Sequence, residues 1–289
     1  MYDKYSDIDL KYQNIFTPER WDALNSSSFS LLLTQFVKHN ERNDVSGFEN
    51  NPYVAVMKRQ YRMNKGIFDL ISPVYSIHKG FEIIDEKKHA ANDVKCVSID
   101  GTEEYLYPGC QNIDEADAIV DFLEKFQEKR DEYPDIKTIG IITGYRDQQN
   151  LLRHKLKSFR LKGVQIGTID RFQGREYDLT IVSLVRTKAF GFINDIRRMN
   201  VAFSRAKKHL IILGNFEKLN EIALNRKPNI DERSGNISID EDKFVTKTLI
   251  PKLYSLRETF VSSKDRTNDI LNFIKENDYE WCFFQLHHS

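Results

Sequence analysis

The 289-residue sequence contains no Gly-x-x-x-x-Gly-Lys-Ser/Thr run, so it carries no phosphate loop of its own. No Gly-x-Gly-x-x-Gly follows a strand-like run either, which argues against a Rossmann-type dinucleotide site. Cysteine is sparse. Cys96, Cys110 and Cys282 lie far apart with no metal-ligand spacing, and an odd, scattered set fits a reducing compartment better than a disulfide framework. The seven histidines form no His-x-x-x-His or Cys/His cluster, so no metal site is expected. No apolar run approaches the roughly 18–20 residues that cross a bilayer, and the opening residues are too polar for a signal peptide. Neither charge sign is in excess, with Lys+Arg and Asp+Glu at 43 each. Any surface for a polyanion must therefore be local and offset by acid elsewhere. The expected setting is intracellular, in cytoplasm or nucleus, with no membrane partner.

What is present is an ordinary globular composition, 40% hydrophobic and 30% charged, in a chain long enough to bury a sizeable core. Residues 94–100, 138–143, 164–168, 179–185 and 210–213 read as strands. Residues 113–129, 146–159 and 195–205 read as helices between them, the first with Ala116, Ile119, Val120, Leu123 and Phe126 on one face. Strands that are apolar throughout and separated by helices predict a mainly parallel sheet covered on both faces. Residues 1–25 lack a period and read as an irregular lead-in, while 28–38 and 64–75 have helical spacing. Residues 225–242 read as a polar linker and 243–289 as a helical extension, with helices near 244–256 and 269–274.

Four segments place cationic and polar side chains at the mouths of these elements. In Asn200-Val-Ala-Phe-Ser-Arg-Ala-Lys207 a helix ends at a basic cluster and a buried strand follows. That puts Arg205 at the carboxyl or amino edge of the sheet, where ligands of α/β domains gather. A guanidinium is always charged and forks onto phosphate oxygens, although on a surface helix it is simply solvated. The segment from Ile166 to Asp178 ends a strand in Thr168 and turns through Gln173 and Gly174, where the missing side chain lets a phosphate or another backbone approach. Arg175 and Glu176 project from that turn; Thr168 is placed to bond a nucleic-acid phosphate and Glu176 a ribose hydroxyl. A charged, capped turn is the structural alternative. Lys58-Arg-Gln-Tyr-Arg-Met-Asn64 puts Arg62 just before a helix start. From Ile139 to Gln149 a strand runs into a helix N-terminus, which offers amides and the Thr143 hydroxyl to an anion.

In their order and spacing, Gln60-Tyr-Arg-Met63, Ile142-Thr-Gly-Tyr145 with Gln148, Thr168-Ile-Asp-Arg-Phe-Gln-Gly-Arg-Glu176 and Asn200-Val-Ala-Phe-Ser-Arg-Ala-Lys207 resemble one family. It is the second RecA-like domain of superfamily 1B helicases of the nonsense-mediated-decay and Sen1-like group, and the resemblance covers about residues 28–216. It implies an α/β RecA-like domain, a parallel sheet between helices over 26–224, with a helical tail.

The same resemblance implies the roles. Arg62 and Arg205 reach the γ-phosphate of ATP. Gly174 and Glu176 contact the nucleotide, and Gln173 couples the nucleotide and nucleic-acid sites. Thr143, Tyr145 and Thr168 meet the backbone of single-stranded DNA or RNA, and Arg198 and Lys207 brace the arginine. ATP with its Mg2+ is held mainly by a first RecA-like domain, supplied in cis or as a separate chain. One departure is Gly144, where the family has Pro, which predicts a looser loop. A different class of function remains beside the motor: a non-catalytic nucleic-acid-binding or scaffold module derived from such a domain.

Overall fold

The computed structural model describes residues 59–61, 63–77, 84–85, 93–157, 159, 162–226 and 242–286, all within the unit Lys58–Ser289. The expectations for 1–25, for a helix at 28–38 and for Arg62 lie outside the described residues.

In chain order the elements begin with β1 (Arg59–Gln60), α1 (Lys65–Ile77), β2 (Ile84–Asp85), β3 (Val94–Ser98), β4 (Glu104–Leu106), β5 (Gly109–Gln111) and α2 (Ile113–Glu128). Next come β6 (Ile139–Thr143), α3 (Arg146–Lys155), β7 (Val164–Thr168), β8 (Tyr177–Ser183), α4 (Ile196–Phe203), β9 (Ala206–Gly214) and α5 (Phe216–Asn225). After a π-helical turn at Val245–Leu249, the chain continues through α6 (Ile250–Ser255), β10 (Arg257–Glu258) and α7 (Ser263–Leu286). Six strands form one sheet in the order β10-β3-β9-β8-β6-β7, and every pairing in it is parallel. This is the parallel sheet between helix layers that the alternation of strands and helices predicts, and the α/β RecA-like fold that the resemblance implies. The tail also supplies the edge strand β10, which two residues are too short to announce by pattern.

Strand residues alternate between two cores, as the pleat demands. Leu210 and Ile212 of β9 and Val182 of β8 pack with α1, α4, α5 and α6. Ile211 and Leu213 of β9 and Ile181 of β8 pack with α2, α3 and α7. All seven residues of β8 are buried, the polar Asp178, Thr180 and Ser183 included, as a central parallel strand covered on both faces requires. Each large aliphatic side chain so enclosed contributes about 1.5–3 kcal/mol. Helix starts are set by local caps: Asn112 accepts from the Glu115 amide at α2, Asp195 from the Arg197 and Arg198 amides at α4, and Asn215 from the Lys218 amide at α5.

Candidate functional site

At the amino edge of the sheet, the Tyr177 amide at the start of β8 donates to the Arg205 carbonyl just before β9 (2.9 Å). The guanidinium of Arg205 lies along the same edge. Its Nη1 donates to the Arg175 carbonyl (3.1 Å), its Nε to the Val201 carbonyl (2.9 Å) and its Nη2 to Ser204 Oγ (2.9 Å). Arg205 is only 8% exposed, so its charge rests against its own domain. The turn 173–176 and Arg205, about thirty positions apart in sequence, thus form one unit. In that turn Gln173, Gly174, Arg175 and Glu176 are exposed. Gly174 has φ +78° with nothing within 4 Å of where a Cβ would stand. Only glycine takes this conformation without penalty, and a side chain there would stand in open space. The guanidinium, the bare backbone and the Glu176 carboxylate thus lie together on one edge. Among the described residues no group of three or more His, Cys, Asp or Glu is gathered to hold a metal ion.

Residues 169–176 carry the chain directly from the carboxyl edge of β7 to the amino edge of β8. Their 3-10 turn, Ile169–Phe172, presses Phe172 and Tyr177 onto the sheet at Gly140, where any side chain would collide with both rings. Asp170, on this crossover, pairs with Arg198 of α4 (2.9 Å), and Lys207 pairs with Asp178 (3.3 Å). Burial pushes the Asp178 carboxyl up. Bonds from the Thr138 hydroxyl and amide, with the Lys207 charge, outweigh it and leave the group below the ordinary carboxylate range. Arg198 and Lys207 are therefore engaged within the domain.

Thr143, Tyr145 and Thr168 sit at the opposite, carboxyl edge, with Thr143 in register beside Thr168. Thr143 is fully buried, and its hydroxyl accepts from the Tyr145 amide (3.3 Å). The Tyr145 hydroxyl accepts from the Phe192 amide (3.2 Å), and its ring meets Phe192 edge-on. Burial holds its phenol above the ordinary value. Thr168 is half-buried, and its amide donates to Gln149 Oε1 (3.1 Å). Gly144 is a tight contact rather than a loosened one. A side chain there would run into the Phe192 ring, which is a steric reason for its presence.

The strongest polar cluster at this edge was not singled out from the sequence. Glu115, fully buried in the first turn of α2, accepts from Ser183 Oγ (2.6 Å) and from the Val185 amide (3.0 Å). Val185 has φ +69°, a strained value for a β-branched residue. Gln148 joins the cluster, donating to Ser183 Oγ (3.1 Å) and to the Asn112 carbonyl (3.0 Å) and accepting from the Asn112 amide (2.8 Å). Glu103 holds the next turn, accepting from the Thr187 amide (2.6 Å). Arg186 Nε stands 3.0 Å from Glu103 Oε2, an ion pair whose angle misses hydrogen-bond geometry. Burial pushes the Glu115 carboxyl up to about 8, against the bonds from Ser183 and the backbone. The available signal was an acid in the first turn of a helix, beside Asp114; it is weak, because acids at helix starts are ordinary.

The parallel sheet between helix layers defines an α/β domain of the RecA-like class. A family model described as an AAA domain, AAA_12, matches residues 33–217, and the chain belongs to that family. Three curated proteins illustrate the kinship. An uncharacterized ATP-dependent helicase of Methanocaldococcus jannaschii is 30% identical over 56% of this chain and 27% of its own. Helicase sen1 of Schizosaccharomyces pombe is 35% identical over 44% of this chain and 9% of its own. Regulator of nonsense transcripts 1 of Dictyostelium discoideum is 32% identical over 56% of this chain and 14% of its own. The matched segment thus spans about a quarter or less of these relatives. The likeness to the C-terminal domain of Sen1-like and nonsense-mediated-decay helicases stands on the family match and these relatives together. Among the described residues, no helix is long and apolar enough to cross a membrane.

Proposed function

We propose that this chain is the C-terminal motor half of an intracellular ATP-dependent helicase acting on DNA or RNA. In this reading residues 26–224 are the second RecA-like domain, 225–242 a linker and 243–289 an extension. A first RecA-like domain, in cis or on another chain, holds the phosphates and the Mg2+. The observation that carries the reading is the bond from Arg205 to the Arg175 carbonyl, which joins the arginine to the turn bearing Gly174 and Glu176.

Bound ATP would supply the phosphoanhydride whose cleavage drives the motor. The residues of this chain do the rest. Arg205, with Arg62, stabilises charge on the transferring phosphoryl group. To do so, Arg205 exchanges one of its intradomain bonds for a phosphate oxygen. Gly174 leaves room for the nucleotide, and Glu176 accepts from it. Gln173 lies on the crossover between the edges, so displacement of the turn reaches Thr168 along residues 169–172. Tyr145 and Thr168 define the strand-facing edge, and Thr143, fully buried, supports it from beneath through the Tyr145 amide rather than touching the strand. Contacts there to backbone predict salt-dependent binding with little sequence preference.

Purified 1–289 is expected to hydrolyse ATP at background, and addition of a phosphate-loop domain of the same family is expected to create strand-stimulated turnover. Robust hydrolysis by 1–289 alone overturns the division of labour. The burial of Arg205 against its own backbone favours one second reading, a non-catalytic nucleic-acid-binding or scaffold module. It gains if the chain binds single strands yet never complements a phosphate-loop domain.

A further inference from the structure

The hairpin β4–β5 is used by nothing above. It pairs Glu104 with Gln111, Tyr105 with Cys110 and Leu106 with Gly109, and it carries the two most exposed aromatics among the described residues. Tyr107 is 88% and Tyr105 63% exposed, with their rings edge-on at 6.5 Å. An edge-on pair leaves ring faces open for a third planar group.

The base of the hairpin is fixed. Cys110 is fully buried and accepts weakly from Arg186 Nη1. Gly109 abuts the Asp147 carboxylate so closely that a side chain would collide with it. The first turn of α3 therefore ties the hairpin to the strand-facing edge. Asp147 meets Gly109, Gln148 bonds Asn112 just beyond β5, and Gln149 bonds the Thr168 amide. Exposed cations flank the same place: Arg146 on α3, and Lys188, whose amide donates to Glu103 beside β4. An exposed aromatic pair beside cations and a backbone-binding edge has the chemistry of a stacking platform for a single strand, in which phosphates meet the cations and bases meet the rings.

We propose that Tyr107, supported by Tyr105, stacks an unpaired base of the strand whose backbone runs past Thr168; this rests on the strand-binding reading above. The test compares the full chain on two labelled single-stranded oligonucleotides of equal length, oligothymidylate and its abasic counterpart, by fluorescence anisotropy. Wild type should bind the base-bearing strand about tenfold more tightly than the abasic one. Tyr107→Ala should erase that preference while leaving abasic binding and thermal stability unchanged, and Tyr107→Phe should retain it. Tyr105→Ala should reduce it partly. If wild type binds both strands equally, or Tyr107→Ala keeps the preference, the stacking role is overturned and the backbone reading stands. Failure to bind either strand removes both. A hairpin that serves a protein partner instead would give the equal-binding result.

Discussion

At the carboxyl edge of the sheet, Glu103, Glu115, Asn112 and Gln148 are buried and bonded to loop backbone. At the amino edge, Gln173, Gly174 and Glu176 stand on an exposed turn, with Arg205 tucked beneath it. The carboxyl edge ties its buried carboxylates and amides to its own backbone and even holds Val185 in a strained conformation. The amino edge presents chemistry without enclosing it. Substitutions at the first edge should therefore register as stability, and substitutions at the second as turnover once a phosphate-loop domain is present.

The largest break of that contrast comes from Arg205. In the assembled motor, Arg205→Ala should lower ATP turnover by at least about a thousandfold, as loss of a charge-stabilising arginine does. Single-strand affinity should stay within about twofold, since Arg205 lies at the edge away from Thr168. Melting should also register a loss of about 1–3 kcal/mol, because the Val201 and Arg175 carbonyls lose a donor. Arg205→Lys keeps the charge without the fork and should recover little turnover. Equal loss of turnover and strand binding would remove Arg205 from the nucleotide edge.

Glu115 tests the other side. Glu115→Ala should destabilise by about 3 kcal/mol, since it strands the Val185 amide and the Ser183 hydroxyl in a buried site. The pH dependence follows from burial, which raises this carboxyl to about 8, whereas in the unfolded chain it titrates near about 4.3. Between those values the native state holds a proton that the unfolded chain has lost. The stabilisation is fully present below the lower value and is lost as pH rises through the upper one. Melting temperature should fall between about pH 4.3 and about pH 8 in wild type, level off above that, and change less in Glu115→Gln, which cannot ionise. Parallel slopes in the two proteins would show that Glu115 does not titrate there.

Much of the frame was legible. The strand at 164–168 matches β7 residue for residue, and α2 ends within one residue of its expected end. Apolar runs and amphipathic helices report their own burial. The strand expected at 179–185 sits at Tyr177–Ser183, because Asp178 looks like loop but is a strand residue bonded to Thr138. The hairpin at 104–111 escaped because its exposed tyrosines lack an apolar alternation. Of the proposed site, the sequence order pointed to each segment but not to which edge it occupies. The eight-residue crossover after β7 decides that, and it is a property of strand order, invisible in a linear motif. The Glu115 network was hidden for a related reason: Glu115 and Ser183, 68 positions apart, meet only because the start of α2 lies beside the end of β8.

A smaller effect is expected at Gly144. Gly144→Ala drives a methyl into the Phe192 ring and should destabilise by about 1–3 kcal/mol through overpacking. The coupling is the informative part. In a Phe192→Ala background the same change should be nearly neutral, and the double-mutant cycle measures the contact directly. If Gly144→Ala costs the same in both backgrounds, Phe192 is not the reason for the glycine, and the loop is as loose as the departure from the family's Pro suggests.

The smallest effect belongs to Gly174, and it separates backbone from contact. Nothing stands within 4 Å of its missing Cβ, and φ is +78°, so Gly174→Ala can act on the isolated chain only through the backbone, at about 1 kcal/mol. Gly174→Asn should cost less, because asparagine tolerates the left-handed region. In the assembled motor the two variants should converge, both losing nucleotide affinity as their side chains enter the space left for the ligand. Should Asn and Ala keep their isolated-chain ranking in nucleotide binding, with neither falling below what the backbone term explains, the open space at the amino edge is not a ligand's place, and the contrast between the edges reduces to one of exposure.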